Sequence, residues 1–171
     1  MSASTTAERS LTISWDDPLA SAGAGLSMSG IEYMHAVMAG EIPRPPIAWL
    51  LGLSVVEVEE GRAVFAAEPG EQHYNPIGVV HGGLAATLLD SAMGCAVHTT
   101  LAAGWSYGSL DLSTRFTRPI TADTGRILCE GKVVHRGART ATTEGRLWAE
   151  GSGKLLAHGS GSALLLPVVS E

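Results

Sequence analysis

The chain has 171 residues, a formal net charge of −6 and an isoelectric point near 5.5. This length predicts one domain with a substantial core, and the acidic balance argues against a general nucleic-acid-binding protein. No stretch is apolar for the ~18 residues that a membrane-spanning helix requires, and the N-terminus lacks the apolar segment of a signal peptide, so we expect a cytoplasmic protein.

The first part of the chain, residues 1–46, is predicted to form a tail and a helical extension. Residues 1–28 are small, polar and rich in Gly, Ala and Ser, a composition that favours a partly disordered tail. Ser29 is a candidate N-cap, and apolar residues at helical spacing follow it up to Gly40, a candidate helix stop. A run of prolines then separates this extension from the main domain, residues 47–171.

The main domain is predicted to start with a short helical turn at residues 47–51. Residues 53–58 and 62–67 are β-rich and joined by a Gly-containing turn, which indicates a hairpin. A loop rich in Gly, Pro and Asn leads to residues 82–101, which are apolar on nearly every face. This pattern predicts a long buried helix that ends before a second Gly-containing turn.

Four more strands are predicted after this helix, at residues 106–117, 126–135, 139–149 and 155–166. A single helix that is apolar all round must be wrapped by a sheet, so the element order predicts an α+β fold. In the first of these strands, strict alternation places Ser109 on the same face as Tyr107 and Asp111. The opposite face then carries Gly108, Leu110, Leu112, Thr114 and Phe116.

Asp90 is the most informative residue of the predicted helix. It is the only Asp, Glu, Lys or Arg between Glu71 and Asp111. A carboxylate within such an apolar segment loses its hydration and is rarely tolerated without a partner or a function. We interpret Asp90 as a functional carboxylate that acts as a base. The alternative is a buried Asp that is hydrogen-bonded for structural reasons alone.

The residues around this helix resemble a known family. Asn75-Pro-Ile-Gly-Val-Val-His-Gly-Gly83 followed by Thr-Leu-Leu-Asp90 is similar to the signature of hotdog-fold acyl-CoA thioesterases of the phenylacetate-pathway, PaaI-like type, and Gly151 to Gly159 match as well. The resemblance covers roughly residues 47–166. It implies a hotdog fold, in which an antiparallel sheet wraps one long central helix, and hydrolysis of an acyl-CoA thioester by Asp-activated water.

The resemblance also implies roles for individual residues. In the family, the helix N-terminus supplies an oxyanion donor, and polar side chains supply the carboxylate, a water-positioning amide, a helper hydroxyl and a motif histidine. These map to the Gly82 N–H, Asp90, Asn75, Ser109 and His81. The chain departs from the family in its N-terminal extension and in residues 99–107, segments that commonly shape substrate access.

The residue types fit this chemistry, and each of them also has a simpler structural explanation. A helix N-terminus with free N–H groups suits an oxyanion, and the missing Cβ atoms of Gly82 and Gly83 let a substrate carbonyl approach closely. The alternative is that both glycines only permit a tight turn. Asn75 is, on propensity alone, an ordinary turn residue, and we favour a structural role for His81 at the start of the helix. Asp111 is a weaker alternative acid.

The spacing of Gly82 and Asp90 predicts self-association. Eight residues of α-helix span ~12 Å, so the two groups of one chain cannot both contact one thioester carbon. Two chains related by a two-fold axis can combine them if their helices lie antiparallel. The resemblance implies the same arrangement. We therefore expect a homodimer with composite sites, which pairs further into a homotetramer, a dimer of dimers.

Arg136 and Arg139 flank a predicted strand turn and are candidate ligands for a CoA phosphate, or simply part of a basic turn. The six histidines show no HxH or HExxH spacing, so no metal site is expected. No cofactor is expected either. Cys95 and Cys129 form no CxxC and are expected to be free buried thiols.

Two other functions compete with thioester hydrolysis at this stage. A non-catalytic hotdog module that binds acyl-CoA is the first, although it gains nothing from a buried Asp90. A hotdog enoyl-CoA hydratase or dehydratase is the second. It requires a histidine base beside the acid, and we expect that only His81 could supply one.

Overall fold

The computed structural model describes residues 8–168, which form four α-helices and one six-stranded antiparallel sheet. The helices are α1 (Pro18–Gly25), α2 (Gly30–Ala39), α3 (Pro46–Leu51) and α4 (Gly82–His98). The strands are β1 (Ser54–Glu59), β2 (Arg62–Ala67), β3 (Trp105–Phe116), β4 (Ile127–Arg136), β5 (Thr140–Ala149) and β6 (Leu155–Pro167). The sheet order is β1-β2-β4-β5-β6-β3, so the prediction of an α+β fold with one long central helix is confirmed.

The sheet curves around α4 and packs closely against it. Leu88, Leu89 and Ala92 of α4 are completely buried and belong to the main hydrophobic cluster. At Gly131 of β4, an added Cβ would lie 2.3 Å from the backbone of Ala92, so the strand and the helix approach as closely as a glycine allows. No helix among residues 8–168 is long and apolar enough to cross a bilayer.

The end of α4 is fixed by the β1–β2 hairpin. The helix ends at His98, three residues before the predicted end, and Thr99 is its C-cap residue. Thr99 Oγ1 donates to the Ala96 carbonyl at 2.7 Å and accepts the Gly61 N–H at 2.8 Å. Gly61 has a φ of +76°, which is the left-handed conformation that the hairpin turn requires.

The predicted helix in the extension is confirmed, but the predicted disordered tail is wrong in part. Ser29 begins α2 in a capping box with Glu32, and Gly40 ends it with a φ of 78°. Pro18–Gly25, placed in the tail by composition, instead form α1. Asp17 Oδ1 accepts the Leu19 N–H at 2.9 Å at the start of this helix, a cap and N1-proline signal that composition alone does not weigh. Residues 1–7 of the predicted tail lie outside the described residues.

The extension packs against the rest of the protein. The Gly30 N–H donates to the Leu101 carbonyl at 2.9 Å, directly after α4. A Cβ at Gly30 would lie 1.7 Å from the His98 carbonyl oxygen, so only glycine fits at this crossing of α2 and α4. Met34 of α2 belongs to the same buried cluster as Leu88. The extension therefore contributes to the core rather than trailing from it.

Gly30→Ala is expected to destabilise the protein by about 1–3 kcal/mol, the usual cost of inserting a methyl group into a packed contact. The free energy of unfolding from urea denaturation measures this change. Gly23→Ala in α1 is the matched control, because nothing lies within 4 Å of a Cβ there. That control should be neutral or slightly stabilising. An equally small effect at Gly30 would mean that α2 shifts freely on α4.

Candidate active site

The first turn of α4 has one N–H group that lacks a partner among residues 8–168. The His81 N–H donates to the His73 carbonyl at 2.8 Å, and the Leu84 N–H donates to the His81 carbonyl at 3.0 Å. The Gly83 N–H donates to His81 Nδ1 at 2.8 Å. The Gly82 N–H is left free at the positive end of a 17-residue helix, which is where an oxyanion would be stabilised.

Backbone strain does not account for the two glycines at this helix start, since neither has a positive φ. The lack of space for a side chain does account for the two glycines. A Cβ at Gly82 would lie 2.9 Å from the ring of Phe116, and a Cβ at Gly83 would lie 2.8 Å from His81 Nδ1. Close packing against Phe116 and His81 is therefore a structural reason for both glycines, and their role at a substrate remains a prediction.

Asp90 and Ser109 are in direct contact. Ser109 Oγ donates to Asp90 Oδ1 at 2.9 Å, which fixes one oxygen of the carboxylate. Asp90 is exposed in the protomer, so the prediction of a buried carboxylate is wrong for a single chain. The sheet leaves one strip of α4 open, which contains Gly83 and Asp90, because the sheet ends at β3.

A β-bulge in β3 determines which side chains reach α4. The register with β6 shifts between Ser109 and Asp111, so Leu110 is an extra residue. Tyr107 and Ser109 before the bulge and Phe116 after it all contact α4. Strict alternation, as predicted, is wrong because the bulge changes which face each residue occupies. Asp111 accepts a hydrogen bond from Ser162.

Asn75 holds the loop before α4 with its side-chain oxygen. Oδ1 accepts the N–H groups of Ile77 at 3.0 Å and Val79 at 3.3 Å, which is an Asx turn. Its Nδ2 has no hydrogen-bond partner within the described part of the chain and stays available for a water molecule. The turn interpretation therefore holds for Oδ1, and the water-positioning role remains a prediction for Nδ2.

Arg136 and Arg139 lie at the β4–β5 turn, and both are exposed. The register runs from Ser109 across Ala163 and Ala141 to Arg136, three strand spacings away, or about 14 Å. Within one protomer they therefore do not contact Asp90. Neither guanidinium has a salt bridge or side-chain hydrogen bond with residues 8–168. Their role at a phosphate remains a prediction.

A cavity of about 570 Å³ opens beside Asp90 and Ser91. Its walls are mostly apolar and come from α1, α2 and α3 of the extension as well as from α4 and β3. The volume is in the range of small-molecule sites. The sequence pattern does not predict these wall residues, because an apolar helix face such as that of α2 indicates only packing. They include Leu26, Tyr33, Met34, Val37, His98 and Tyr107.

Comparison with known proteins assigns the family. The profile of the thioesterase superfamily matches residues 77–156. A single-residue variant of the phenylacetic acid degradation protein PaaI from Thermus thermophilus is 32% identical, over 70% of this chain and 97% of that chain, with a TM-score of 0.63. This chain belongs to the thioesterase superfamily.

Other solved structures agree with this assignment. A putative thioesterase related to phenylacetic acid degradation, from Ralstonia eutropha JMP134, is 28% identical over 77% of this chain and 98% of that chain, with a TM-score of 0.70. The PaaI protein of the E. coli phenylacetic acid degradation operon, 23% identical over 85% of this chain and 99% of that chain, shares the fold with a TM-score of 0.70. A search of curated proteins found no match. The predicted PaaI-like resemblance, hotdog fold and thioester hydrolase class are confirmed.

Cys95 lines the cavity of this thioesterase together with Ser91 and Ser106, and its thiol is a potential nucleophile. Burial raises the pKa of the Cys95 thiol to about 12, so the thiol is protonated at neutral pH and is not a nucleophile. Cys95 and Cys129 are both free, as predicted. Among the described residues that line the cavity, Asp90 is the only carboxylate.

Proposed function

We propose that this thioesterase hydrolyses acyl-CoA thioesters with a water molecule activated at Asp90. The observation that carries the proposal is the position of Asp90, held by Ser109 at the mouth of an apolar cavity. An acyl group in the cavity brings its thioester carbon beside the carboxylate. The Gly82 N–H of a second chain, which has no partner among residues 8–168 of its own protomer, stabilises the negative charge that develops on the carbonyl oxygen.

The reaction follows from these positions. Asp90 takes a proton from the water as it attacks the carbonyl carbon, while Asn75 Nδ2 orients that water. The tetrahedral intermediate collapses, the C–S bond breaks and the CoA thiolate leaves. Gly83 is exposed beside the helix start, so the substrate is proposed to pass over its backbone. Ser109 keeps the carboxylate oriented and transfers no proton.

A direct attack by Asp90 uses the same geometry and gives a mixed anhydride, which water then hydrolyses. A single turnover in water labelled with heavy oxygen distinguishes the two routes. Label in the Asp90 carboxylate with unlabelled oxygen in the first product identifies direct attack followed by opening of the anhydride at the Asp90 carbonyl. The general-base route places the label in the acid product at once.

The composite site requires a second chain. Gly82 and Asp90 are separated by ~12 Å of helix, and the open strip of α4 together with β3 offers the surface for a partner. β3 is an edge strand of the sheet, and edge strands with free backbone groups are normally paired or protected. It also carries four exposed large apolar side chains: Trp105 (40%), Leu110 (57%), Leu112 (37%) and Phe116 (60%). We propose a two-fold dimer that covers this surface and places Gly82 of one chain opposite Asp90 of the other.

The CoA moiety is proposed to contact Arg136 and Arg139, since both are exposed cations without an ion-pair partner in residues 8–168. The C-terminal half is richer in positive charge than the rest of the chain, since eight of the eleven Lys and Arg residues lie between positions 115 and 154. Association of dimers into a tetramer stays a prediction. Light scattering over a range of concentrations measures both assembly steps.

The hydrogen bond that His81 accepts argues against a hydratase. Its Nδ1 accepts the Gly83 N–H, so the ring serves as a helix cap and cannot also take a substrate proton at that nitrogen. Thiol release from a panel of acyl-CoAs tests the proposal, with hydration of enoyl-CoA run in parallel. Thiol release without hydration is the expected result. Tight acyl-CoA binding without any turnover would instead favour the non-catalytic module.

Ser109→Ala is expected to lower kcat/KM by roughly 10- to 100-fold, since it removes one hydrogen bond to a charged group. The loss should be smaller than that of Asp90→Asn. Ser113→Ala is the matched control on the same strand, where Oγ accepts a hydrogen bond from Arg115 instead. That control should retain full activity. If Ser109→Ala were as damaging as Asp90→Asn, a serine nucleophile would have to be reconsidered.

A further inference from the structure

We propose that His98 determines specificity, by donating a hydrogen bond to an oxygen atom at the far end of the acyl group. The inference rests on the proposed function, because it assigns the cavity beside Asp90 to the acyl group. The substrate class is then an acyl thioester with a distal acceptor oxygen, as in an oxo- or hydroxyacyl chain.

The cavity extends along α4 away from the reacting carboxylate. Asp90, Ser91, Cys95 and His98 all line it. Because Asp90 and His98 are eight residues apart on one helix, the two ends are separated by ~12 Å. The walls between them are mostly apolar. A polar side chain at the end of the cavity away from Asp90 therefore meets the terminal part of an acyl chain.

The imidazole of His98 is held in place on several sides. The Tyr33 ring meets it edge-on with centroids 5.5 Å apart, and the Tyr107 ring lies at 5.8 Å. The backbone of His98 is fixed by its close contact with Gly30. The Tyr33 side chain comes from α2, so the N-terminal extension takes part in forming this end of the cavity.

The two ring nitrogens of His98 differ in their surroundings. Nδ1 is enclosed and has no hydrogen-bond partner among residues 8–168. Nε2 is not enclosed in this way and also has no partner among the described residues. Burial lowers the pKa of His98, so the ring is neutral at pH 7 and carries one proton.

The position of that proton follows from the cost of an unpaired buried donor. A proton on Nδ1 would be an N–H group with no acceptor, and such orphaned donors are rarer in proteins than under-satisfied acceptors. The proton therefore resides on Nε2, which makes His98 a donor at its accessible nitrogen. A ligand oxygen satisfies it, whereas a purely hydrocarbon chain buries the N–H without a partner.

The test compares matched substrates in one enzyme. Acyl-CoAs from hexanoyl to dodecanoyl are assayed beside their chain-matched forms with a terminal hydroxyl or a penultimate oxo group. At the best chain length, the wild-type enzyme is expected to prefer the oxygenated member by roughly 5- to 150-fold in kcat/KM, the range for leaving one buried polar group unpaired. In His98→Phe the preference should disappear, chiefly because activity on the oxygenated member falls. In His98→Gln, which keeps a donor, part of the preference should return.

The ratio of the activities on the oxygenated and the plain substrate distinguishes lost recognition from structural damage. Misfolding would lower both activities together and leave their ratio unchanged. An unchanged ratio in His98→Phe, or equal activities in the wild type, would overturn the inference while leaving the proposed hydrolysis intact. If no acyl-CoA were hydrolysed, the proposed function would fail instead. Calorimetric binding of non-hydrolysable thioether analogues then tests the same preference without turnover, and equal affinities for plain and oxygenated analogues would reject it.

Discussion

Replacement of Asp90 by Asn is expected to lower kcat/KM for acyl-CoA hydrolysis by about 10²–10⁴-fold, the usual contribution of a positioned base. The amide has the same shape and can still accept the hydrogen bond that Ser109 donates at 2.9 Å. It cannot take a proton from water. Because Asp90 is exposed in the protomer, the substitution leaves the core unchanged, and the thermal unfolding curve should stay close to that of the wild type.

Asp111→Asn is the matched control for this experiment. Asp111 lies two residues after Ser109 on β3 and accepts a hydrogen bond from Ser162. It shares the acidic chemistry of Asp90 without its place beside the bound thioester, so Asp111→Asn should keep most of the activity. Activity of Asp90→Asn within a few fold of the wild type would remove Asp90 from the mechanism. A large loss confined to Asp111→Asn would transfer the role to that residue.

Mixing two inactive variants is expected to restore activity. One variant carries Asp90→Asn and the other carries Gly82→Val, and each homodimer lacks either the base or access to the oxyanion donor at every site. In a heterodimer, one site inherits both defects, while the other combines an intact Gly82 with an intact Asp90. With random reassortment of equal amounts, half of the dimers are mixed, so about a quarter of the wild-type activity should return.

The recovered activity should follow the fraction of heterodimer, which two different affinity tags allow to be purified and measured. Gly82→Val also needs a folding control, since its Cβ would lie 2.9 Å from the Phe116 ring. Circular dichroism and the thermal midpoint of each homodimer provide it. If purified heterodimers of folded chains stay inactive, the site lies within one chain and the antiparallel arrangement is wrong. A fully active monomer at high dilution would give the same answer directly.

Local signals in the sequence determined much of the fold. Ser29 with Glu32 and Gly40 mark the two ends of α2, because caps are short-range hydrogen bonds between neighbours in the chain. The continuous apolar pattern after Gly82 located α4, and the order of helix and strands indicated the α+β class. The motif residues from Asn75 to Asp90 identified the family. Each of these signals depends on residues within a few turns of one another.

Only the tertiary structure determined the features that depend on the register of the sheet and on where the sheet ends. The bulge at Leu110 brings both Ser109 and Phe116 to α4. One extra residue in the strand moves every later side chain to the opposite face of the sheet. Asp90 is exposed because the sheet stops at β3, which no local apolar pattern reveals. The cavity exists because the extension packs on α4 through Gly30 and carries Tyr33 to within reach of His98. These features join residues far apart in the chain, so only the packed fold determines them.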